Sequence, residues 1–375
     1  MSKIELKDIY VRYGMYKAVR GLSFTCEDGR LTCILGPSGA GKTSTLKAIA
    51  GILTLSDGAI FIDNRDVTMV ASQDRELAMT FEGYNLYPHF TVYENLSFPL
   101  KSPRRRNSYN EASIDKRVRE IATMLEIKPL LDRLPREISG GQKQRVGLGR
   151  MLVRENPSAY LLDEPIAHLD AKLRHQMVGE IKRIHKELGK TMLYATPDAD
   201  EAIALADEII FLNEGRLVQI GSPEDFILKP ANTLVAEFIG DPKINFFNGK
   251  MMKKDGDFIF KSRQCSILIR QDDFSLLQRK YAFEENQNIT LAIRPQYCSY
   301  SYEKPEYNYL DTPLCVCLEE LRGDSVVLSL GLEDERYLVK VKEIDNRLKI
   351  GDNIWLTFNP HHVHIFNEAG QNLIR

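Results

Sequence analysis

The segment Gly36–Thr43, with the sequence GPSGAGKT, constrains the fold of this chain more than any other feature. It matches the phosphate-binding pattern G-x-x-x-x-G-K-[ST], which is meaningful only between a strand and a helix. The apolar run Leu31–Leu35 predicts a buried strand before the loop, and Thr43–Ala50 predicts a helix after it, with Gly51 as its C-terminal cap. The segment therefore predicts an α/β fold with a phosphate-binding loop.

The residue types in this loop suit a nucleoside triphosphate. Glycines let backbone N–H groups turn towards the phosphates, and the start of the helix adds partial positive charge. Lys42 can reach the outer phosphates, and the Thr43 hydroxyl can bind Mg²⁺. A glycine-rich turn without a ligand is the alternative, and the complete match disfavours it. The residues expected to bind the nucleotide here are Gly36, Ser38, Gly39, Ala40, Gly41, Lys42, Thr43 and Ser44.

A second candidate element is Leu161–Pro165, where Asp163 and Glu164 end an apolar run. Mg²⁺ prefers hard oxygen ligands and keeps several waters, so Asp163 suits its coordination shell. Glu164 suits the base that orients and deprotonates an attacking water. An Asp-Glu pair alone is more often a solvated strand end. Together with Lys42, the pair predicts a catalytic site.

A third element is Ser139, Gly140, Gly141 and Gln142, which opens a helix predicted to run to about residue 155. Ser139 can cap that helix, and the two glycines leave N–H groups able to hold a second anionic group. The string alone could be only a helix cap. Its position between the phosphate loop and the Asp-Glu pair makes the functional interpretation specific.

The organisation of the chain predicts two domains. Strands and helices alternate over residues 1–235, which predicts a mostly parallel sheet covered by helices. Within that part, residues of about 90–156 have helical periodicity and predict an inserted helical subdomain. Residues 236–375 contain short strands at a spacing typical of a small barrel or sandwich.

Composition and charge limit the partners and the cellular location that we expect for this chain. The chain has 375 residues, 43% apolar and 27% charged, and a formal net charge of −2, which argues against nucleic acid as the main partner. No run approaches the ~18 apolar residues of a membrane span. The first residues, MSKIELKDIY, lack the basic start and apolar core of a signal peptide, and the six cysteines are too few for a disulfide framework. We therefore expect a cytoplasmic protein.

Taken together, these motifs resemble the ATP-binding-cassette (ABC) ATPases, and more closely the ATPase subunits of carbohydrate importers such as the maltose and glycerol-3-phosphate systems. The resemblance covers about residues 1–245 strongly. Two further marks, Gly240–Phe246 and Ile293–Pro295, extend it into the C-terminal part. It implies a RecA-like P-loop core with an inserted helical subdomain, followed by a small all-β, OB-like regulatory (TOBE) domain.

The resemblance also implies cofactors and partners. ATP and Mg²⁺ would be sandwiched between the phosphate loop of one subunit and Ser139–Gln142 of a second, with Tyr13 on the adenine and Asp170 in the loop joining the two sites. The segment Gly83–Phe90 resembles the lining of the groove that receives a permease helix, although it could be only a tight turn. Two membrane permease subunits, a second ATPase subunit and, indirectly, a solute-binding protein would be the partners at the cytoplasmic face of the membrane.

Two positions depart from the family. Glu82 stands where the family has Gln, and Pro197 stands where it has the switch His. Glu82 can still bind Mg²⁺, but proline has no side-chain donor and no N–H for a γ-phosphate. Losing one such donor costs roughly 10²–10³ in rate. The two departures predict slow ATP hydrolysis at the site that contains this chain's own Lys42.

Three interpretations stay open at this point. Both departures fall on the phosphate-loop side, which favours a heterodimer with a more typical cassette over a homodimer. The chain could instead be a regulatory subunit that binds ATP and hardly hydrolyses it, or the substitutions could be tolerated in an active enzyme. A cassette protein of translation or DNA repair is a further class, disfavoured because this chain has neither two cassettes nor long coiled coils.

Overall fold

The computed structural model describes residues 2–80, 86–101, 110–154, 157–167, 169–254, 257–262, 266–269, 275, 277, 279, 281, 284, 286–306, 308–343 and 347–374. The chain divides into two compact units, Met1–Pro223 and Glu224–Arg375. The first is an α/β unit and the second is built mainly of β-strands, so the predicted fold class is confirmed. The predicted division into domains 1–235 and 236–375 stays a prediction about independent folding.

The first unit alternates strands and helices. Its strands are β1 (Ile4–Tyr13), β2 (Tyr16–Cys26), β3 (Leu31–Leu35), β4 (Asp57–Ile62), β5 (Arg65–Asp66), β6 (Leu77–Thr80), β7 (Ala159–Asp163), β8 (Met192–Thr196), β9 (Glu208–Asn213) and β10 (Arg216–Gly221). Its helices are α1 (Lys42–Ile49), α2 (Val92–Ser97), α3 (Glu111–Met124), α4 (Gly140–Leu152), α5 (Ala171–Leu188) and α6 (Ala199–Leu205).

The central sheet has the strand order β10-β9-β3-β8-β7-β6. Its pairs are parallel except for β10, which runs antiparallel to β9. Every residue of β3, β7 and β8 is buried, as expected for parallel strands covered on both faces. Parallel strands end at the same edge, so Leu35, Asp163 and Thr196 finish side by side. Open α/β sheets bind ligands at this edge.

A second, antiparallel sheet has the order β2-β1-β4-β5. Its inner face shares one apolar core with the central sheet and α1, including Ile4, Leu22, Ile34, Leu46 and Leu161. This packing holds the hairpin between β1 and β2 in the same unit as the phosphate loop.

The described parts of the stretch between β6 and β7 are mainly helical, as predicted for the inserted subdomain. The buried residues of α3 are Ile114, Val118, Ile121 and Ala122, which recur at helical spacing on one face. At Gly149 of α4, a Cβ atom would lie 2.6 Å from a Leu96 methyl of α2, so glycine allows the two helices to pack closely.

The second unit opens with the short helices α7 (Pro223–Leu228) and α8 (Thr233–Phe238). Its strands are β11 (Asn245–Lys254), β12 (Asp257–Ser262), β13 (Ser266–Ile269), β14 (Asn288–Ile293), β15 (Cys298–Ser301), β16 (Leu314–Arg322), β17 (Ser325–Leu332), β18 (Glu335–Val341), β19 (Asn353–Phe358) and β20 (Val363–Asn367).

These strands form two antiparallel sheets, ordered β13-β12-β11-β14-β20 and β15-β19-β16-β17-β18. Side chains from both sheets build one core, which includes Phe247, Leu291, Leu328 and Leu356. In the part of the chain that the structure describes, no helix combines the length and the apolar character that crossing a bilayer requires.

Candidate nucleotide-binding and catalytic site

The phosphate loop leads from β3 into α1, and Gly41 is the N-cap residue immediately before the helix. Its φ of 100° is in the left-handed region, and a Cβ atom there would lie 2.6 Å from the Ala18 carbonyl oxygen, so only glycine fits without strain. No side chain caps α1, and its first turn has no acidic residue. The helix start is therefore electropositive and suited to an anion.

Lys42 is buried, with 4% of its surface exposed. Its Nζ donates to the carbonyl oxygens of Gly36 (3.0 Å) and Pro37 (3.2 Å), and it lies 3.4 Å from Glu164 Oε1. The ammonium group is thereby held over the loop by partners that phosphate oxygens can replace.

Asp163 and Thr43 meet at the end of β7. Thr43 Oγ1 donates to Asp163 Oδ1 at 2.8 Å, and Asp163 is only 1% exposed. A hydroxyl and a carboxylate at this distance supply two neighbouring hard oxygen ligands. The donor set fits Mg²⁺, which commonly takes one or two protein oxygens together with phosphates and waters.

Glu164 lies one residue beyond β7 in a left-handed conformation, with φ of 44°. Its N–H donates to the Ala195 carbonyl of β8 at 3.0 Å, which fixes its backbone against the neighbouring strand. Its partly exposed carboxylate lines the same cavity as Lys42 and Thr43. A carboxylate held at the cavity wall can accept a proton from a water inside it.

Lys42, Thr43 and Glu164 border a cavity of about 310 Å³ between the phosphate loop and the β1–β2 hairpin. Tyr13, 48% exposed, stands at its mouth with its hydroxyl 3.3 Å from Ser44 Oγ. The lining residues are Tyr13, Tyr16, Ala18, Ser38, Gly39, Gly41, Lys42, Thr43, Ser44 and Glu164.

Most predicted phosphate-loop residues thus meet at one cavity. Of the others, Gly36 contacts Lys42 through its carbonyl, and Ala40 is buried beneath the loop. Tyr16 was missed from the sequence. Its position at the turn that also carries Tyr13 is the signal that could have found it, since a second ring there can also face a base.

Ser139–Gln142 lies outside this cavity, at the start of α4. Gln142 N–H donates to Ser139 Oγ (3.3 Å), and Ser139 N–H donates to Gln142 Oε1 (2.9 Å), which is a reciprocal capping box. Gly141 packs closely against Leu173, whose methyl would lie 2.2 Å from a Cβ atom. A role towards a second subunit's nucleotide stays a prediction.

Asp170 caps α5, with its carboxylate accepting from Leu173 N–H at 3.0 Å. Pro197 lies between β8 and α6, beside the strand that fixes Glu164. Glu82, like Gly83 and Tyr84 of the predicted groove, is outside the described residues. The predicted roles of Asp170 and Glu82 therefore stay predictions.

The rest of the predicted groove is an aromatic cluster on the helical subdomain. The Tyr87 ring lies 5.2 Å from Phe90 and 4.7 Å from Phe98, and Arg150 lies 4.7 Å from its centroid. Asn95 accepts from Tyr87 N–H and donates to three carbonyls of the same turn. The turn is therefore internally fixed while Phe98 stays exposed.

Comparison with known proteins agrees with this geometry. Residues 19–167 match the family described as ABC transporter. The trehalose/maltose import ATP-binding protein MalK of Thermococcus litoralis is 37% identical over 98% of both chains. The sn-glycerol-3-phosphate import ATP-binding protein UgpC of Cupriavidus pinatubonensis is 37% identical over 100% of both chains. This chain belongs to the ABC transporter family of ATP-binding proteins.

A solved structure supports the same assignment for the first unit. The ATP-binding cassette MJ0796, in a dimeric post-hydrolysis state bound to ADP and Pi, is 28% identical, with a TM-score of 0.53 over 59% of this chain and 98% of that one. The predicted family is thereby confirmed, and with it an ABC ATPase assignment. The comparisons give no support to a degenerate site or to a different partner cassette.

Proposed function

We propose that this chain is the ATP-binding subunit of an ABC importer, and that it couples ATP binding and hydrolysis to uptake of a carbohydrate, polyol or glycerol-phosphate type solute. The observation that carries the proposal is the meeting of Lys42, Thr43 and Glu164 at one cavity, with Asp163 hydrogen-bonded to Thr43. Full-length relatives named as import proteins support the transport part.

The residues divide the chemistry between them. Lys42 exchanges its two carbonyl partners for phosphate oxygens, and the open start of α1 directs N–H groups at the same anion. Thr43 and Asp163 would hold Mg²⁺, which supplies charge neutralisation on the phosphates when bound. Glu164 orients the attacking water and accepts its proton.

We further propose that two copies of this chain pair, with Ser139–Gln142 of each facing the other's nucleotide, on the cytoplasmic face of the membrane against two permease subunits served by a solute-binding protein. The dimeric cassette structure supports pairing of like chains. A different partner cassette is the competing outcome, and mass measurement of the complex isolated from cells distinguishes the two.

The function is tested by reconstituting this chain with candidate permease subunits, in vesicles containing a solute-binding protein. We expect ATP turnover that rises when the cognate sugar or glycerol-phosphate is added inside. Turnover by the chain alone that no permease or solute alters would contradict the transport role.

We also propose that the missing donor at Pro197 slows turnover at the site built on Lys42. Proline offers neither a side-chain donor nor an N–H to the γ-phosphate. Pro197→His is expected to raise single-turnover hydrolysis by roughly 10²–10³, the value of one preorganised donor. Equal rates in the two proteins would mean that the substitution is tolerated in an active enzyme.

The C-terminal region 236–375 is proposed to fold separately and to serve regulation or dimer contact. The cavity that carries the chemistry is lined only by residues of the first unit among those described. A fragment ending at Val235 is therefore expected to bind ATP as the full chain does. A folded fragment without ATP affinity would refute the division.

A further inference from the structure

The loop between β7 and α5, described at residues 164–167 and 169–170, is bonded at its start to the neighbouring strand β8 and at its end to a side chain of α5. At its start, Glu164 N–H donates to the Ala195 carbonyl at 3.0 Å. At its end, Arg174 Nη2 donates to the Leu169 carbonyl at 3.1 Å. The loop carries both the proposed base, Glu164, and Asp170.

Arg174 reaches from the first turn of α5 to the segment after β8. Its Nη1 lies 3.3 Å from Asp198 Oδ2, and its Nε lies 3.7 Å from Glu201 Oε1. Glu201 is 6% exposed and accepts from the hydroxyls of Tyr194 (2.9 Å) and Thr196 (2.7 Å). Burial raises the pKa of Glu201, and the nearby Arg174 charge opposes that rise.

The turn between β8 and α6 contains Pro197, and side-chain hydrogen bonds hold the residues on both sides of it. Asp198 N–H donates to Thr196 Oγ1 at 3.0 Å, and Asp198 Oδ1 accepts from the N–H groups of Asp200 (2.9 Å) and Glu201 (3.1 Å). Pro197 itself has no N–H to contribute. Arg174 and the Glu164–Ala195 bond thus both connect residues before or after this turn to the described residues of the 164–170 loop.

We propose that Arg174 is a positioning residue for ATP hydrolysis: it clamps the loop that carries Glu164 and Asp170 to the Pro197 turn. Arg174 does not line the nucleotide cavity, so it acts on the placement of the Glu164 carboxylate and leaves nucleotide binding to the β3–α1 loop. The inference rests on the proposed ATPase function and names a residue that serves it.

The experiment compares steady-state ATP hydrolysis by the full chain with Arg174→Gln and Arg174→Lys. Glutamine removes the charge and the forked donor, and we expect kcat to fall about tenfold or more, with KM for ATP within twofold of wild type. Lysine keeps the charge beside Asp198 and Glu201 but lacks the forked donor that reaches Asp198 and the Leu169 carbonyl together, so its kcat should lie between those of wild type and Arg174→Gln.

Arg183→Gln on the same helix is the matched control. Arg183 pairs with Glu180 and Glu187 on α5 and donates to the Met124 carbonyl of α3, and it contacts neither Leu169 nor Asp198, so its loss should leave kcat and KM unchanged. If Arg174→Gln does not fold, as judged by thermal unfolding, Arg174→Lys decides by the same criteria.

An Arg174 variant that folds and keeps wild-type kcat would overturn the proposal, as would one that raises KM as much as it lowers kcat. Wild-type protein without ATPase activity would instead overturn the proposed function. The two failures are therefore distinguishable in one data set.

Discussion

Two helices of the first unit begin with glycine-rich segments, and their starts differ. Helix α1 has no side-chain cap and receives the Lys42 ammonium beside it, so its N–H groups are directed at an anion within the same chain. Helix α4 is closed by the capping box of Ser139 and Gln142 and lines no part of that cavity. Glycines at the start of a helix thus accompany one helix start that is open to an anion and one that is closed by a capping box.

The largest expected effect is on the α1 side. Lys42→Ala should lower affinity for Mg-ATP by about 10–10², because a charge-assisted hydrogen bond contributes roughly 1.5–3 kcal/mol. Turnover should fall at least as far. Titration with a fluorescent ATP analogue measures the affinity.

Lys47→Ala is the control for that change. Lys47 lies in the last turn of the same helix and lines no part of the cavity, so its loss should leave affinity unchanged. Equal nucleotide affinity in wild type and Lys42→Ala would remove the phosphate-loop assignment.

A smaller effect is expected on the α4 side. Ser139→Ala removes a helix cap and should cost about 1 kcal/mol in free energy of unfolding. If Ser139 faces a second subunit's nucleotide, turnover should also fall about tenfold, the equivalent of one hydrogen bond of roughly 1.4 kcal/mol. Affinity at the Lys42 site of the isolated chain should not change.

Asn110→Ala provides the matched comparison, because Asn110 caps α3 by an equivalent bond to Ser113 N–H at 2.8 Å. It should lose similar stability and no turnover. Equal loss of turnover in both variants would mean that Ser139 acts only as a cap, and the difference between the two helix starts would then be purely structural.

The sequence predicted the parts of the fold that carry continuous apolar runs. Strands β3 and β7 were found because buried parallel strands are continuous apolar runs in the sequence. Strands β10 and β11 were missed: β10 has no fully buried residue, and β11 contains Gly249 and three lysines. Their strand character depends on distant pairing partners, which local patterns do not contain.

The candidate site divides in the same way. The phosphate loop and the Asp163–Glu164 pair are contiguous motifs, so sequence alone located them. The contacts of Arg174 with Leu169, Asp198 and Glu201 join residues of different elements. No spacing in the sequence predicts these contacts, because only the parallel arrangement of β7 and β8 brings the contacting residues together.

The central claim is that the Lys42 site binds Mg-ATP and that Glu164 supplies the base. Glu164→Gln separates these two functions in one protein, since glutamine keeps the shape of the side chain and cannot accept the proton. Single-turnover hydrolysis with radiolabelled ATP, measured beside ATP affinity, is the most direct test. We expect ATP affinity close to wild type and a hydrolysis rate at least 10² lower, since a general base usually contributes about that factor. A Glu164→Gln protein that hydrolyses ATP at the wild-type rate would contradict it.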